Sequence, residues 1–217
     1  MVIQGEKVSL RTTEESDLPF LRALWNHGPT MASVGFPEGL RLTRRDVAWW
    51  WRHRETRQGR AKYDLCDDVA HMVIELDDGT RVGETGFGRR PVGDIAMLEL
   101  KVHADHWGLG YGTDALRTLM RHVFDHTDYN VLVVEPAAEN DRARALYRRL
   151  GFEPRPRMEV LGCENRGLFM ALTRRAFREL QDKEPGGGGG GGAPPPPPAS
   201  GEGTWRSDKP PPRTGKS

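Results

Sequence analysis

Two periodicities alternate along most of the chain. KVSLRTT (7–13) sets Val8, Leu10 and Thr12 against polar neighbours, the alternation of a strand. Ser16 and Asp17 stand where a helix cap would, ahead of Leu18, Leu21, Leu24 and Trp25 at helical spacing. Pro29 and Pro37 interrupt the next stretch. Thr43-Arg-Arg-Asp46 has the form of a capping box and opens a second helix carrying Val47 and Trp49-Trp50-Trp51. Consecutive residues cannot share one helical face, so one or two of these indoles should fill the core and another line a pocket. AHMVIEL (70–76), the turn Asp77-Asp78-Gly79-Thr80 and RVGETGFGRR (81–90) predict a hairpin, and DIAMLELKVH (94–103) a further strand. In TDALRTLMRHVFDH (113–126), Leu116, Leu119, Met120, Val123 and Phe124 recur with helical period. VLVVE (131–135) suits a buried strand, and NDRARALYRRL (140–150) a helix stopped by Gly151. Segments near 152–160 and 167–173 should close the sheet. The order β-α-α-β-β-β-α-β-α-β-β predicts a mixed α/β fold, antiparallel strands first and a β-α-β-α unit near the end.

The pattern stops after Glu184. Pro185, the glycines of 186–192 and the prolines of 194–198 cannot bury enough apolar surface to offset the entropy of ordering. Residues 1–184 are therefore expected to form the domain and 185–217 a disordered Gly/Pro-rich tail. Lys and Arg total 32 against 31 Asp and Glu, so nothing global calls for nucleic acid or an anionic membrane. No apolar run approaches the roughly 18 residues of a membrane span, and the first residues lack the pattern of a secretory signal. Cys66 and Cys163 have neither metal spacing nor the numbers of a disulfide framework. These features predict a soluble, cytoplasmic protein.

The chemistry concentrates in HADHWGLGYG (103–112), between a strand and a helix. Alternating Gly108, Gly110 and Gly112 let the backbone turn sharply and approach a bulky group. The first N–H groups of the next helix lack intrahelical acceptors, and the helix dipole adds positive potential, which suits phosphate. A tight turn with no ligand accounts for the glycines equally well. A P-loop is excluded because no GxxxxGK[ST] occurs, and GLGYGT matches the dinucleotide fingerprint only loosely. His103, Asp105 and His106 do not converge on one ion, so no metal is expected.

HWGLGYGTDAL followed by VVEPAAENDRARALYRRLGFEP resembles the GCN5-related N-acetyltransferase (GNAT) superfamily. Its acetyl-CoA motif, [RQ]-x-x-G-x-[GA], corresponds to Trp107-Gly108-Leu109-Gly110-Tyr111-Gly112, with Trp107 replacing the usual Arg or Gln. Its following helix motif corresponds to Asn140, Ala143, Tyr147, Gly151 and Phe152. The resemblance implies an acyl-CoA N-acyltransferase fold: a mixed, mostly antiparallel central sheet, flanked by helices, in which strands 94–103 and 131–135 splay apart. The pantetheine arm would pair with backbone near Leu100 to Val102 and bond Asn140. The pyrophosphate would rest on Leu109 to Thr113. The amine would approach over the two early helices.

The implied reaction is direct acetyl transfer from acetyl-CoA to a primary amine. An alkylamine has a pKa of about 10.4, so its neutral form costs roughly 4–5 kcal/mol at pH 7 and a base is worth having. The thiol leaving group, at about 8.5, needs only about 2 kcal/mol. The resemblance places Tyr147 beside the sulfur as the acid. For the base, Glu99 alternates with Leu98 and Leu100 and so faces away from the core. Glu84 is the next candidate and Glu135 the third; any of these acids could instead bind a cationic substrate, the role assigned to Glu135. The opening segment resembles a branch containing ribosomal-protein N-terminal, aminoglycoside 6'-N- and siderophore lysine acetyltransferases. GLFMALTRRAFREL is similar to the aminoglycoside group. The expected acceptor is a small-molecule amine, an aminoglycoside the named candidate, with Glu84, Glu99, Glu135 and Glu164 as acids that could surround a polycation. A peptide N-terminus is the alternative acceptor, and a non-catalytic acyl-CoA-binding module the alternative class. A homodimer is compatible with the sequence.

Overall fold

The alternating segments pair into one sheet. The computed structural model describes residues 1–54, 67–89, 94–156 and 168–183, all within the unit Met1–Glu184. The strands are β1 (Val2–Gln4), β2 (Ser9–Thr12), β3 (Asp67–Glu75), β4 (Arg81–Arg89), β5 (Ile95–Val102), β6 (Val131–Val134), β7 (Glu153–Pro154) and β8 (Met170–Thr173). They lie in the order β1-β2-β3-β4-β5-β6-β8-β7. All neighbours are antiparallel except β5 and β6, which are parallel and therefore need a crossover. The helix α4 (Tyr111–His126) supplies it. The other helices are α1 (Leu18–Asn26), α2 (Gly28–Ala32), α3 (Arg44–His53), α5 (Asp141–Arg149) and α6 (Arg174–Gln181). The segments 157–167 and 184–217, with Cys163, Glu164 and the expected tail, lie outside the described residues, as does Cys66.

Strand alternation sorts the side chains into two layers. Leu10, Met72, Ile74 and Leu98 join Leu116, Leu119, Met120 and Val123 of α4, Tyr147 of α5 and Leu150 just beyond it in the main core. A separate cluster of Leu21, Leu24, Trp25, Met31, Val47 and Trp50 holds α1, α2 and α3 together. The capping box at Thr43 forms, with Thr43 and Asp46 exchanging bonds. Of the three consecutive indoles, Trp50 is buried edge-on to Trp25, while Trp49 stacks on His53 and Trp51 carries Arg54 on its ring.

Ser16 and Asp17 do not cap α1 through their side chains. They belong to a single 3₁₀ turn (Glu15–Asp17), and Glu14 is its cap. Asp17 is fully buried because Arg11 grips it with bonds of 3.0 and 2.9 Å and Arg81 approaches to 2.8 Å. Burial pushes its pKa up, but Arg11 and the Glu14 N–H outweigh that and hold it below the ordinary carboxylate value. The carboxylate serves a local cap and an ion pair at once, accepting from Glu14 N–H at 2.8 Å as well as from Arg11. The sequence reading also lacked β1 and α2; Pro29 stands in the first turn of α2, where its missing N–H costs nothing.

Candidate active site

The parallel pairing of β5 with β6 is short. Ile95, Ala96 and Met97 face Val131, Leu132 and Val133, and there it ends. On its other edge β5 stays bonded to β4 up to Val102, while β6 follows β8 up to Val134. From Leu98 to Val102 the two strands have diverged, leaving a wedge with a strand edge of backbone N–H and C=O along one side. Such an edge can take a peptide-like arm as an added strand. Leu100 and Val102 lie on this edge. The Val102 carbonyl already accepts from Trp107 Nε1 at 2.7 Å.

At the open end of the wedge the chain enters the glycine loop. Gly108 and Gly110 have φ of 82° and 87°, the left-handed region that a side chain disfavours. Gly110 is the N-cap of α4 and no side chain caps the helix there, so Tyr111, Gly112 and Thr113 present its first turn uncapped. A Cβ on Gly112 would press against Leu100 at 3.3 Å and Val102 at 3.4 Å. The helix therefore starts tight against β5. Asp114, the acid of this first turn, is turned away from the loop: its carboxylate accepts from the N–H groups of Glu6, Lys7 and Val8 at 3.2, 2.7 and 3.0 Å. Leu109 is exposed at the tip. These features fit a bulky phosphate-bearing group whose arm enters the wedge.

Asn140 caps α5 through its Oδ1, accepting from Ala143 N at 2.9 Å, and its Nδ2 donates to Ser33 O at 2.7 Å. It thus joins α5 to the loop after α2. Tyr147 on α5 is buried, its ring edge-on to Phe152, and the helix closes behind it with Gly151 at φ 89° and Phe152 N–H returning to Tyr147 O at 3.0 Å. Burial pushes the Tyr147 phenol up to about 12; the nearby charge of Glu99 adds to this and that of Lys101 opposes it. The phenol is therefore protonated at neutral pH.

Glu99 and Lys101 project from the face of β5 opposite Leu98, Leu100 and Val102, with Lys101 Nζ 3.5 Å from Glu99 Oε2. The Glu99 side chain is 55% exposed. Glu84, opposite Lys101 on β4, is 2% exposed and accepts from Lys101 Nζ at 2.7 Å, Trp25 Nε1 at 2.8 Å and His71 Nε2 at 3.0 Å. Burial drives its pKa up, but the charge of Lys101 and the bond and charge of His71 together drive it well below the ordinary value. A carboxylate so held has little affinity for another proton; Glu84 ties α1 to the sheet. The line continues from His71 Nδ1 to Thr13 Oγ1 at 2.7 Å. Sequence reasoning missed this network because its members come from four separate elements. Glu135 follows β6 on the far side of the wedge and is partly buried. His103 stacks on His27 at 4.2 Å, and its Nδ1 accepts from Asp105 N. Among the described residues no three His, Cys, Asp or Glu side chains are grouped to hold a metal, and no helix is long and apolar enough to cross a membrane.

Comparison with known proteins places this geometry. The family described as acetyltransferase (GNAT) domain matches residues 7–153. The N-alpha-acetyltransferase RimI of Mycobacterium tuberculosis is 32% identical over 93 residues, 42% of this chain and 56% of that protein. An uncharacterised N-acetyltransferase of Methanocaldococcus jannaschii is 33% identical over 93 residues, 43% of this chain and again 56% of the relative. The chain thus spans little more than half the length of these curated relatives. Among solved structures, AAC(6')-Ib with ribostamycin and coenzyme A superposes with a TM-score of 0.65, at 21% identity over 82% of this chain and 100% of that one. Spermidine N-acetyltransferase of Vibrio cholerae, with CoA and spermine, gives 0.63 at 17% identity over 79% and 98%. At these identities the two structures establish the shared fold.

Proposed function

This chain belongs to the GNAT acetyltransferase family, and from that premise we propose that it is an acetyl-CoA-dependent N-acetyltransferase acting on a primary amine of a small molecule. One observation carries the reading: β5 and β6 part after Met97 and Val133, and the open edge of β5 leads to the uncapped glycine loop at Gly110. Acetyl-CoA would supply the thioester and the acetyl group. Gly108 to Thr113 would hold its phosphates, the Leu98–Val102 edge and Asn140 its arm. In this reading the transferase domain is 1–184.

Glu99 attracts the ammonium of the acceptor and passes its proton to water. Tyr147 donates a hydrogen bond to the departing sulfur. With the phenol near 12 and a thiol near 8.5, complete transfer of its proton would be uphill by roughly 5 kcal/mol, so the hydroxyl acts as a donor that keeps its proton. Positioning in the wedge does the larger share of the work.

An aminoglycoside remains the named candidate acceptor on the resemblance of the opening and closing segments. The Glu84–Lys101 pair favours a second acceptor, a peptide N-terminus: it leaves Glu84 already matched, and a polycation needs several unmatched acids. The test is thiol release from acetyl-CoA in the presence of aminoglycosides, polyamines, lysine derivatives or short peptides. Turnover with one class identifies the acceptor. Tight acetyl-CoA binding without turnover on any of them would favour a non-catalytic acyl-CoA-binding module.

A further inference from the structure

The first position of the glycine loop brings no cation to it. Trp107 occupies that place, and its indole is turned back on the chain through the bond to Val102 O, with Arg142 of α5 on the ring face at 4.5 Å. A cation arrives instead from the far end of the sequence. Lys7 lies in the turn between β1 and β2, and its Nζ donates to Leu109 O at 3.2 Å. The same Nζ would be 3.1 Å from a Cβ on Gly110. This placement is built from the backbone up. Gly5 N–H closes the turn on Val8 O at 2.9 Å, and Asp114 gathers three successive N–H groups of the turn, that of Lys7 at 2.7 Å. Asp114 is buried in the first turn of α4. The root of Lys7 is therefore fixed to the helix that carries the loop.

We propose that Lys7 is an anion-binding residue of this loop, contacting the pyrophosphate of the acyl-CoA. The proposal rests on the acyl-CoA reading above. An ammonium has three N–H donors, and Leu109 O accepts one, so a phosphate oxygen can be held without breaking that contact. Lys7 is exposed, so its contribution is modest and sensitive to salt.

The experiment is calorimetric titration of CoA into the full chain, its Lys7→Ala and its Lys7→Arg variants, across a range of salt. Lys7→Ala is expected to bind about 5- to 10-fold more weakly at low salt, the gap closing to under about 2-fold near 0.5 M salt, while Lys7→Arg stays close to the native affinity. Equal affinities of the native chain and Lys7→Ala at low salt would overturn the proposal. So would a loss that persists unchanged at high salt, which would locate the damage in the turn rather than in the charge. A native chain that binds no CoA at all would remove the acyl-CoA reading and Lys7 with it.

Discussion

Replacing Lys101 with Met deletes the ammonium that Glu84 accepts from at 2.7 Å while keeping an apolar stem of similar length. Removing one partner of a buried ion pair costs about 3–5 kcal/mol, because the other charge stays buried and unmatched. Two features soften the loss: the Lys101 side chain is 19% exposed, and Trp25 and His71 still donate to Glu84. The expected loss at pH 7 is therefore about 2–3 kcal/mol, which at a urea dependence of roughly 2 kcal/mol/M lowers the midpoint by about 1–1.5 M. The pH dependence gives the sharper signature. In the native chain the Glu84 pKa lies below its ordinary 4.5, so its contribution is complete above that pH and fades as the pH falls further. Burial pushes the Lys101 pKa down, but the charges of Glu84 and then Glu99, with their bonds, together outweigh it and hold the pKa above its ordinary 10.5; its contribution is complete below that pH and fades above it. Between the two, the pair contributes a constant amount. In Lys101→Met, burial meets less opposition and the Glu84 pKa rises. If that rise carries it above the ordinary 4.5, protonation on folding makes the variant recover stability relative to the native chain as the pH falls from 8 to 5. Adding Glu84→Gln should recover part of the loss at pH 7. Urea unfolding followed by circular dichroism at several pH values checks this. A loss under about 1 kcal/mol that is the same at pH 5 and pH 8 would refute the reasoning.

Three further outcomes are expected. Tyr147→Phe keeps the buried ring and should lower kcat by about 10- to 100-fold with little change in either KM, measured by thiol release. Glu99→Gln should lower kcat/KM for the amine about 10-fold at pH 7, the deficit shrinking as the pH nears 10 and the amine becomes neutral without help, seen in the pH–rate profile. Gly110→Ala forces a side chain to φ 87° and should cost about 1–2 kcal/mol in urea unfolding and weaken CoA binding in calorimetry.

What the sequence displayed was mostly what its neighbours determine. The glycine loop, the α5 motif with Asn140 and Tyr147, the Thr43 capping box and the alternation of β3 to β5 are local patterns, and each appears near its expected place. The placement of Glu99 on the face opposite Leu98 and Leu100 follows from strand period alone. What stayed hidden depends on residues brought from afar. Asp17 reads as a cap, and nothing nearby in sequence shows that Arg81 will also pair with it. Glu84 looks like a solvated sheet acid until Trp25, His71 and Lys101 close around it. Lys7 carries no signal at all, because its placement is set by Asp114, 107 positions along the chain.

The clasp between Asp114 and the first turn also bears on how such a sequence can drift. A Cβ on Gly5 would meet Asp114 Oδ2 at 2.6 Å, Thr118 Oγ1 at 2.7 Å and the Val8 carbonyl at 2.7 Å. No side chain fits at position 5 while an acid at 114 reaches into the turn, and a shorter residue at 114 would strand three backbone donors. A change at 114 alone would not free position 5, because Thr118 and the Val8 carbonyl still crowd it, so the opening residues of the chain inherit part of their constraint from the middle of it.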